Sequence, residues 1–331
     1  MKSNKPQSVR KPGVAVCLVL VAIVAIAPEA QGKIFQPQLL DGETYSETYT
    51  AVADMDDGTY ILTQFLFSNA GLGDGKAACR VLIVPKGGKG SNAASHYDRD
   101  EWSWSEGEGL RAGPCSLSTQ GGKTRFVAQA DRMRVTLDLH RKARKIRPPG
   151  HRIKLKEAFY DSEVLIPWSR ATAKIHAPGA PKGTLKGNAY LDHTRSTALV
   201  PDLATRWIRF RGLKGERPTL IQIRNPPRGG KARGWVWSKG EKKITRLKSE
   251  EFTAEQSGDS FTLTVQTEQG PLKVSSSKTL FRYEPVKQYG VLGALAKSWV
   301  GNPLTTTWRA SLERPSGERV DGILEVGLTR K

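Results

Sequence analysis

The segment GTLKGNAYLDHTRST, Gly183 to Thr197, concentrates the side chains best able to do chemistry. Asn188, Tyr190 and Asp192 alternate, so a strand would present them on one face. His193 follows Asp192 directly and would point to the opposite face unless a bulge intervenes. An imidazole titrates near neutrality and can pass a proton, and a carboxylate can fix a histidine tautomer or act as a base. Asp192 and His193 are therefore the candidate acid–base groups if the protein is an enzyme. The competing reading is that Asp192 caps a turn and His193 packs or meets solvent. The aromatics Trp102 and Trp104 share one strand face, as do Trp235 and Trp237, and either pair could line an apolar pocket or simply fill a core.

Other chemistries lack their parts. There is no Gly-Lys-Ser/Thr phosphate loop, no GxSxG elbow and no nucleotide-binding glycine fingerprint. There is no CxxC, no His-x-x-x-His and no acidic ligand cluster, so no metal and no other cofactor is expected. Cys79 and Cys115 could form one disulfide in an oxidising compartment, or remain two buried thiols.

The elements that must position these residues are strands. Met133, Val135, Leu137 and Leu139 alternate with polar residues, as do Phe261, Leu263 and Val265, and Trp308, Ala310 and Leu312. Turn signals such as Asp57-Gly58, Gly87-Gly88 and Gly229-Gly230 recur between them, which predicts barrels or sandwiches. One helix is expected, with Leu292, Leu295, Ala296 and Trp299 on one face and Gly301-Asn302-Pro303 as its stop.

The chain also reads as two copies of one β-rich unit. TQFLFSNAGLGDGKAACRVLIVPKGG (Thr63 to Gly88) matches TRWIRFRGLKGERPTLIQIRNPPRGG (Thr205 to Gly230) at equal length. WSWSEGE from Trp102 matches WVWSKGE from Trp235, with an insertion in the first copy around SNAASHYDR. The expected division is residues 1–32, 33–166 and 167–331, with the Asp-His pair in the second copy and Pro167 to Pro181 as the junction.

Residues 1–32 read as a signal segment. Lys2, Lys5, Arg10 and Lys11 precede the apolar run Val14 to Ala27, and Ala30-Gln31-Gly32 offers a cleavage site after Gly32, with Ala30 as the alternative. The protein is then periplasmic or secreted; an uncleaved anchor is the other reading. The full chain of 331 residues carries a net charge of +20. Removing four cations and one anion with residues 1–32 leaves +17. The stretch RKARKIRPPGHRIKLK, Arg141 to Lys156, holds eight Lys or Arg in sixteen residues. Such a surface suits anionic membranes or envelope polymers, or is simply solvated; nucleic acid is not an expected partner of an exported protein.

The run VLIPWSRATAKIHAPGAPKGTLKGNAYLDHTRST followed by RWIRFRGL resembles the central region of the tandem lipocalin-like superfamily. That superfamily includes the carotenoid 1,2-hydratases (hydroxyneurosporene synthases), fungal survival-factor proteins and lipocalin-like Diels–Alderases. Gly187, Ala189, Tyr190, Asp192, His193 and Trp207 match its pattern, and GTYILTQFLFSNAGLGDGKAACRV and the closing GILEVGLT are also similar. Thr194-Arg195-Ser196 replaces the Trp-Gly of the hydratases after the Asp-His pair, and Ile323 stands where the closing strand often has Tyr. The resemblance implies an all-β fold of two tandem lipocalin-like antiparallel barrels, with one or two short helices and a pocket for an apolar molecule. The expected function is an exported binder of a hydrophobic small molecule or lipid, with Tyr190, Asn188, Trp207, Trp235 and Trp237 at its ligand. The alternatives are a hydratase, isomerase or cyclase using Asp192 and His193, and a cationic envelope scaffold.

Overall fold

The structure, a computed structural model, describes residues 33–69, 74–227, 229–284 and 302–330. The signal segment and the helix expected around Leu292 to Trp299 lie outside the described residues.

The first half runs through β1 (Ser46–Met55), β2 (Tyr60–Ser68), β3 (Lys76–Val84), β4 (Ser91–Tyr97), β5 (Trp102–Ser105) and β6 (Gly109–Ala112). It continues through β7 (Cys115–Gln120), β8 (Lys123–Ala130), β9 (Met133–Leu139), β10 (Arg152–Leu155), β11 (Ala158–His176) and β12 (Thr184–Ser196). A one-turn helix, α1 (Val200–Leu203), leads into the second half. There follow β13 (Arg206–Lys214), β14 (Thr219–Asn225), β15 (Arg233–Ser238), β16 (Thr245–Leu247), β17 (Phe252–Ser257), β18 (Ser260–Thr267), β19 (Gly270–Tyr283), β20 (Asn302–Glu313) and β21 (Arg319–Arg330).

These strands make two antiparallel sheets of up-and-down connectivity. In the first, β12 pairs with β1, and the hydrogen-bonded path breaks only between the consecutive strands β4 and β5. In the second, β21 pairs with β13, and the break falls between β16 and β17. Each sheet thus closes its last strand onto its first and opens after its fourth, which is the architecture of two tandem antiparallel barrels.

This topology corrects the sequence alignment of the copies. By strand order β1–β2 corresponds to β13–β14, whereas the Thr63 and Thr205 segments equate β2–β3 with β13–β14. Trp102 lies on β5 and Trp235 on β15, which are not equivalent positions. Alternating hairpins with glycine turns look alike when displaced by one strand. The division at residues 166 and 167 also moves. Pro167 falls inside β11, a single strand of 19 residues. It is accommodated by register shifts between Val164 and Ile166 and between Ile166 and Ser169. The sheets change over between Ser196 and Arg206, so the Asp-His pair belongs to the first barrel.

Alternate residues explain where each strand's faces go. Phe65, Phe67, Phe126 and Trp102 point into the first barrel. Cys79 on β3 and Cys115 on β7 are joined by a disulfide inside it. Ile208, Phe210, Phe261 and Trp308 fill the second. Outer strands such as β9 keep one wet face, but β1 and β12 are buried on both, because the second barrel covers their outer side. Val52, Tyr60 and Leu62 of the first barrel meet Ile323 of the second there. Across the same layer Asp54 pairs with Lys214 at 3.0 Å and with Arg309.

Two glycines of the sequence pattern are required by close strand approach. A Cβ at Gly187 would lie 2.5 Å from the Asp54 carbonyl oxygen, and one at Gly322 only 2.1 Å from that of Arg211. Gly187→Ala is expected to cost about 1–3 kcal/mol of stability by overpacking, read from the urea midpoint; an unchanged midpoint would contradict this packing.

In the basic stretch, β10 pairs with β11 and guards the sheet at an edge. Ile153 and Leu155 turn inward against Tyr160 and Trp207, and all eight cations from Arg141 to Lys156 are exposed.

Candidate functional site

The register around β12 places two polar clusters back to back. Gly187, Ala189, Leu191 and His193 face the first barrel's interior, and Asn188, Tyr190 and Asp192 face the second barrel. The strand is regular here, so Asp192 and His193 do not form a dyad.

On the inner face, His193 lies opposite Tyr49 on β1 and Glu163 on β11. Its Nε2 is 2.6 Å from Glu47 Oε1, its Nδ1 is 3.4 Å from Glu163 Oε2, and Tyr49 stacks on the ring at 4.3 Å. Two acceptor-only carboxylates need a donor on each nitrogen, which makes His193 an imidazolium. Burial opposes that charge, but the bonds to Glu163 and Glu47 outweigh it and raise the pKa. Glu47 also accepts from the Tyr45 and Tyr49 hydroxyls and the Gln38 backbone. Burial acts to raise the Glu163 carboxyl, yet His193 and Arg147, whose Nε is 2.9 Å away, bring it down to about 2. A lowered carboxylate stabilises the fold above its unfolded pKa and loses that contribution as pH falls through the folded one. Stability is therefore expected to drop between pH 4.5 and about 2, with Glu163→Gln flattening the drop. A thermal-melt series across that range checks it.

The outer face is different. Trp207, Arg209 and Arg211 alternate on β13, with Ile208 and Phe210 turned into the second barrel, so both guanidiniums face β12. Arg211 Nη2 lies 3.8 Å from Asp192 Oδ2, and its guanidinium stacks 5.0 Å from the Tyr190 ring. Arg209 Nη1 donates to Glu325 Oε1 at 2.8 Å. Burial pushes the Asp192 carboxyl up, against Arg211, Arg209 and the Tyr190 hydroxyl. Glu325 goes the other way: burial opposes its charge, and Arg211 and Arg209 hold it ionised below the usual range. Two carboxyls in one layer are thus pushed apart, one toward the acid and one toward the base.

A small cleft borders this cluster. Tyr190, Arg209, Arg211, Leu220, Gln222 and Trp235 are among its walls, and its free space of about 10 Å³ holds about one water. Apolar surface continues from it through Leu213, Val164 and Trp168, with Trp237 partly buried alongside. The cleft thus lies where Tyr190 of the first barrel meets β13 to β15 of the second, and it also touches Phe210 and Ile221 of the second barrel's core.

Of the residues expected at a ligand, Tyr190 and Trp235 line the cleft and Trp237 flanks it. Asn188 accepts a hydrogen bond from Arg170, and Trp207 packs on Tyr160 at 5.3 Å. Trp102 packs on Phe67 and donates to the Gly75 carbonyl, a core role. Sequence reasoning missed Arg209, Arg211, Glu325, Glu47 and Glu163. The WIRFRG alternation held a signal for the two arginines, but an alternating cation also describes a wet strand face.

No family model matches the sequence, and no curated protein matches it by sequence. Solved structures do. A protein assigned to AttH from Nitrosomonas europaea superposes with a TM-score of 0.61 at 11% identity, over 86% of this chain and 92% of its own. Kievitone hydratase from Nectria haematococca does so with 0.57 at 12% identity, over 94% and 95%. CghA, in complex with Sch210972, does so with 0.58 at 12% identity, over 87% and 89%. The fold is the tandem lipocalin-like barrel. In this tandem lipocalin-like barrel the Tyr-x-Asp-His strand is the last strand of the first barrel and forms its wall against the second.

Proposed function

We propose that the protein is an acid–base enzyme acting on a hydrophobic small molecule, adding water to a double bond or driving a related isomerisation or ring closure. The observation that carries this reading is Asp192: a carboxyl only 9% exposed, beside Arg211 and Tyr190, which both line the cleft. Its protonated form would give its proton to an alkene carbon and leave a carbocation, or to the carbon of an enol and leave a protonated carbonyl. A water bound alongside the substrate then adds to the cation, and the proton it sheds returns to the Asp192 carboxylate. Hydrophobic walls exclude bulk water, and binding there fixes the reacting geometry. His193, on the other side of the strand, holds β12 to β1 and β11 through Glu47 and Glu163 and takes no part in the chemistry. The likeness to a kievitone hydratase supports the reaction class by fold alone.

Incubating the full chain with an apolar extract in oxygen-18 water tests it. Compounds that gain labelled oxygen in wild type but not in Asp192→Asn are expected. A second reading is carriage without chemistry, supported by the apolar wall around Trp235 and Leu213. A stoichiometric, chemically unchanged apolar compound released from the purified protein, with no labelled product, would favour it. Export through residues 1–32, and attraction of the exposed cations to an anionic membrane surface, remain part of the proposal.

A further inference from the structure

The inter-barrel cleft contains a charge that proton transfer to a double bond does not use. Arg211 is 4% exposed, and its Nη1 has no hydrogen-bond partner. The nearest carboxylate oxygens are Glu325 Oε2, 3.6 Å from Nη1, and Asp192 Oδ2, 3.8 Å from Nη2. Both lie beyond hydrogen-bonding distance. The other oxygen of Glu325 is already taken by Arg209, so one carboxylate serves two guanidiniums. Asp192 does not make up the difference, because burial drives it toward its neutral form. A guanidinium cannot shed its proton, and a buried charge whose counter-charges lie beyond hydrogen-bonding distance and are shared is costly. The Tyr190 ring covers one face of Arg211, which leaves its edge as the donor. That residue lines the cleft, whose free space is about the size of one oxygen-bearing group. A water there would satisfy the hydrogen bond but not the charge.

We infer that the apolar substrate carries a planar oxyanion, a carboxylate or enolate oxygen, which Arg211 binds in the cleft between the barrels. This rests on the substrate site proposed above and adds its polar end. Glu325 then serves as the counter-charge of Arg209, and the oxyanion as that of Arg211. The free space takes the oxyanion alone, so the apolar body enters only if the buried Trp235 and Leu220 move apart, which leaves the reacting carbon toward Asp192. An anion here also gives Tyr190 a role, since its ring stacks on the guanidinium and holds the edge toward the cleft.

The test compares octanoate with its neutral analogue octanamide by tryptophan fluorescence titration of the full chain at neutral pH. Octanoate is expected to bind at least about tenfold more tightly. Arg211→Met is expected to erase the difference, and Arg211→Lys to keep part of it. Leu220→Trp, which fills the cleft and leaves every charge in place, is expected to abolish octanoate binding even if Arg211→Met does not fold. Equal affinities, no binding of either probe, or a preference that survives Arg211→Met and so belongs to surface cations would each overturn the inference. Asp192→Asn should retain the preference for octanoate. Loss of turnover in that variant with an intact preference separates the proton donor from the anion site, and a missing preference in an active enzyme sinks this inference alone.

Discussion

Asp192→Asn is expected to lower turnover by about a hundredfold to ten-thousandfold, the usual worth of a positioned general acid, while the protein stays folded. The two effects separate for a physical reason. Burial already favours the uncharged carboxyl, so a neutral amide of the same shape adds no desolvation cost. The contact with Arg211 is 3.8 Å and is not a hydrogen bond, so little is lost there. The melting temperature should therefore move by only a few degrees, within the range of a change below about 1 kcal/mol. Retained turnover would remove Asp192 as the acid.

His193→Ala has the opposite profile. It leaves Glu47 and Glu163 facing each other in a buried space without the cation that both address, and removes the ring stacked on Tyr49. Deleting one member of a buried ionic group costs about 3–5 kcal/mol. Urea denaturation at neutral pH should show a loss of that size, and turnover per folded molecule should change little. A loss below about 1 kcal/mol would mean that the three groups do not hold the strands β1, β11 and β12 together.

Much of this was legible in the chain. Alternation at Met133 to Leu139 and Phe261 to Val265, with glycine turns between strands, pointed to antiparallel barrels or sandwiches, because each strand's two faces meet different environments, and the resemblance to the tandem lipocalin-like superfamily chose barrels. The period of two also placed Asp192 and His193 on opposite faces. The division between barrels was not legible, because Pro167 reads as a breaker and the bulge that absorbs it depends on pairing with β12. The partners of His193 were hidden for the same reason. Glu47 is 146 residues away, and nothing local marks it as facing an imidazole. Arg211 and Glu325 likewise come from the first and last strands of the second barrel, and only its closure brings them together.

The most direct test of the account is solvent deuterium transfer. Full-length wild type, Asp192→Asn and His193→Ala, matched for folded protein, are incubated with the same apolar substrate in deuterium oxide, and carbon-bound deuterium in the product is counted by mass spectrometry. Deuterated product is expected from wild type and from the folded fraction of His193→Ala, and a loss of about a hundredfold or more from Asp192→Asn. Full incorporation by Asp192→Asn, or its loss in folded His193→Ala alone, would place the proton donor on the other face of the strand and contradict the account.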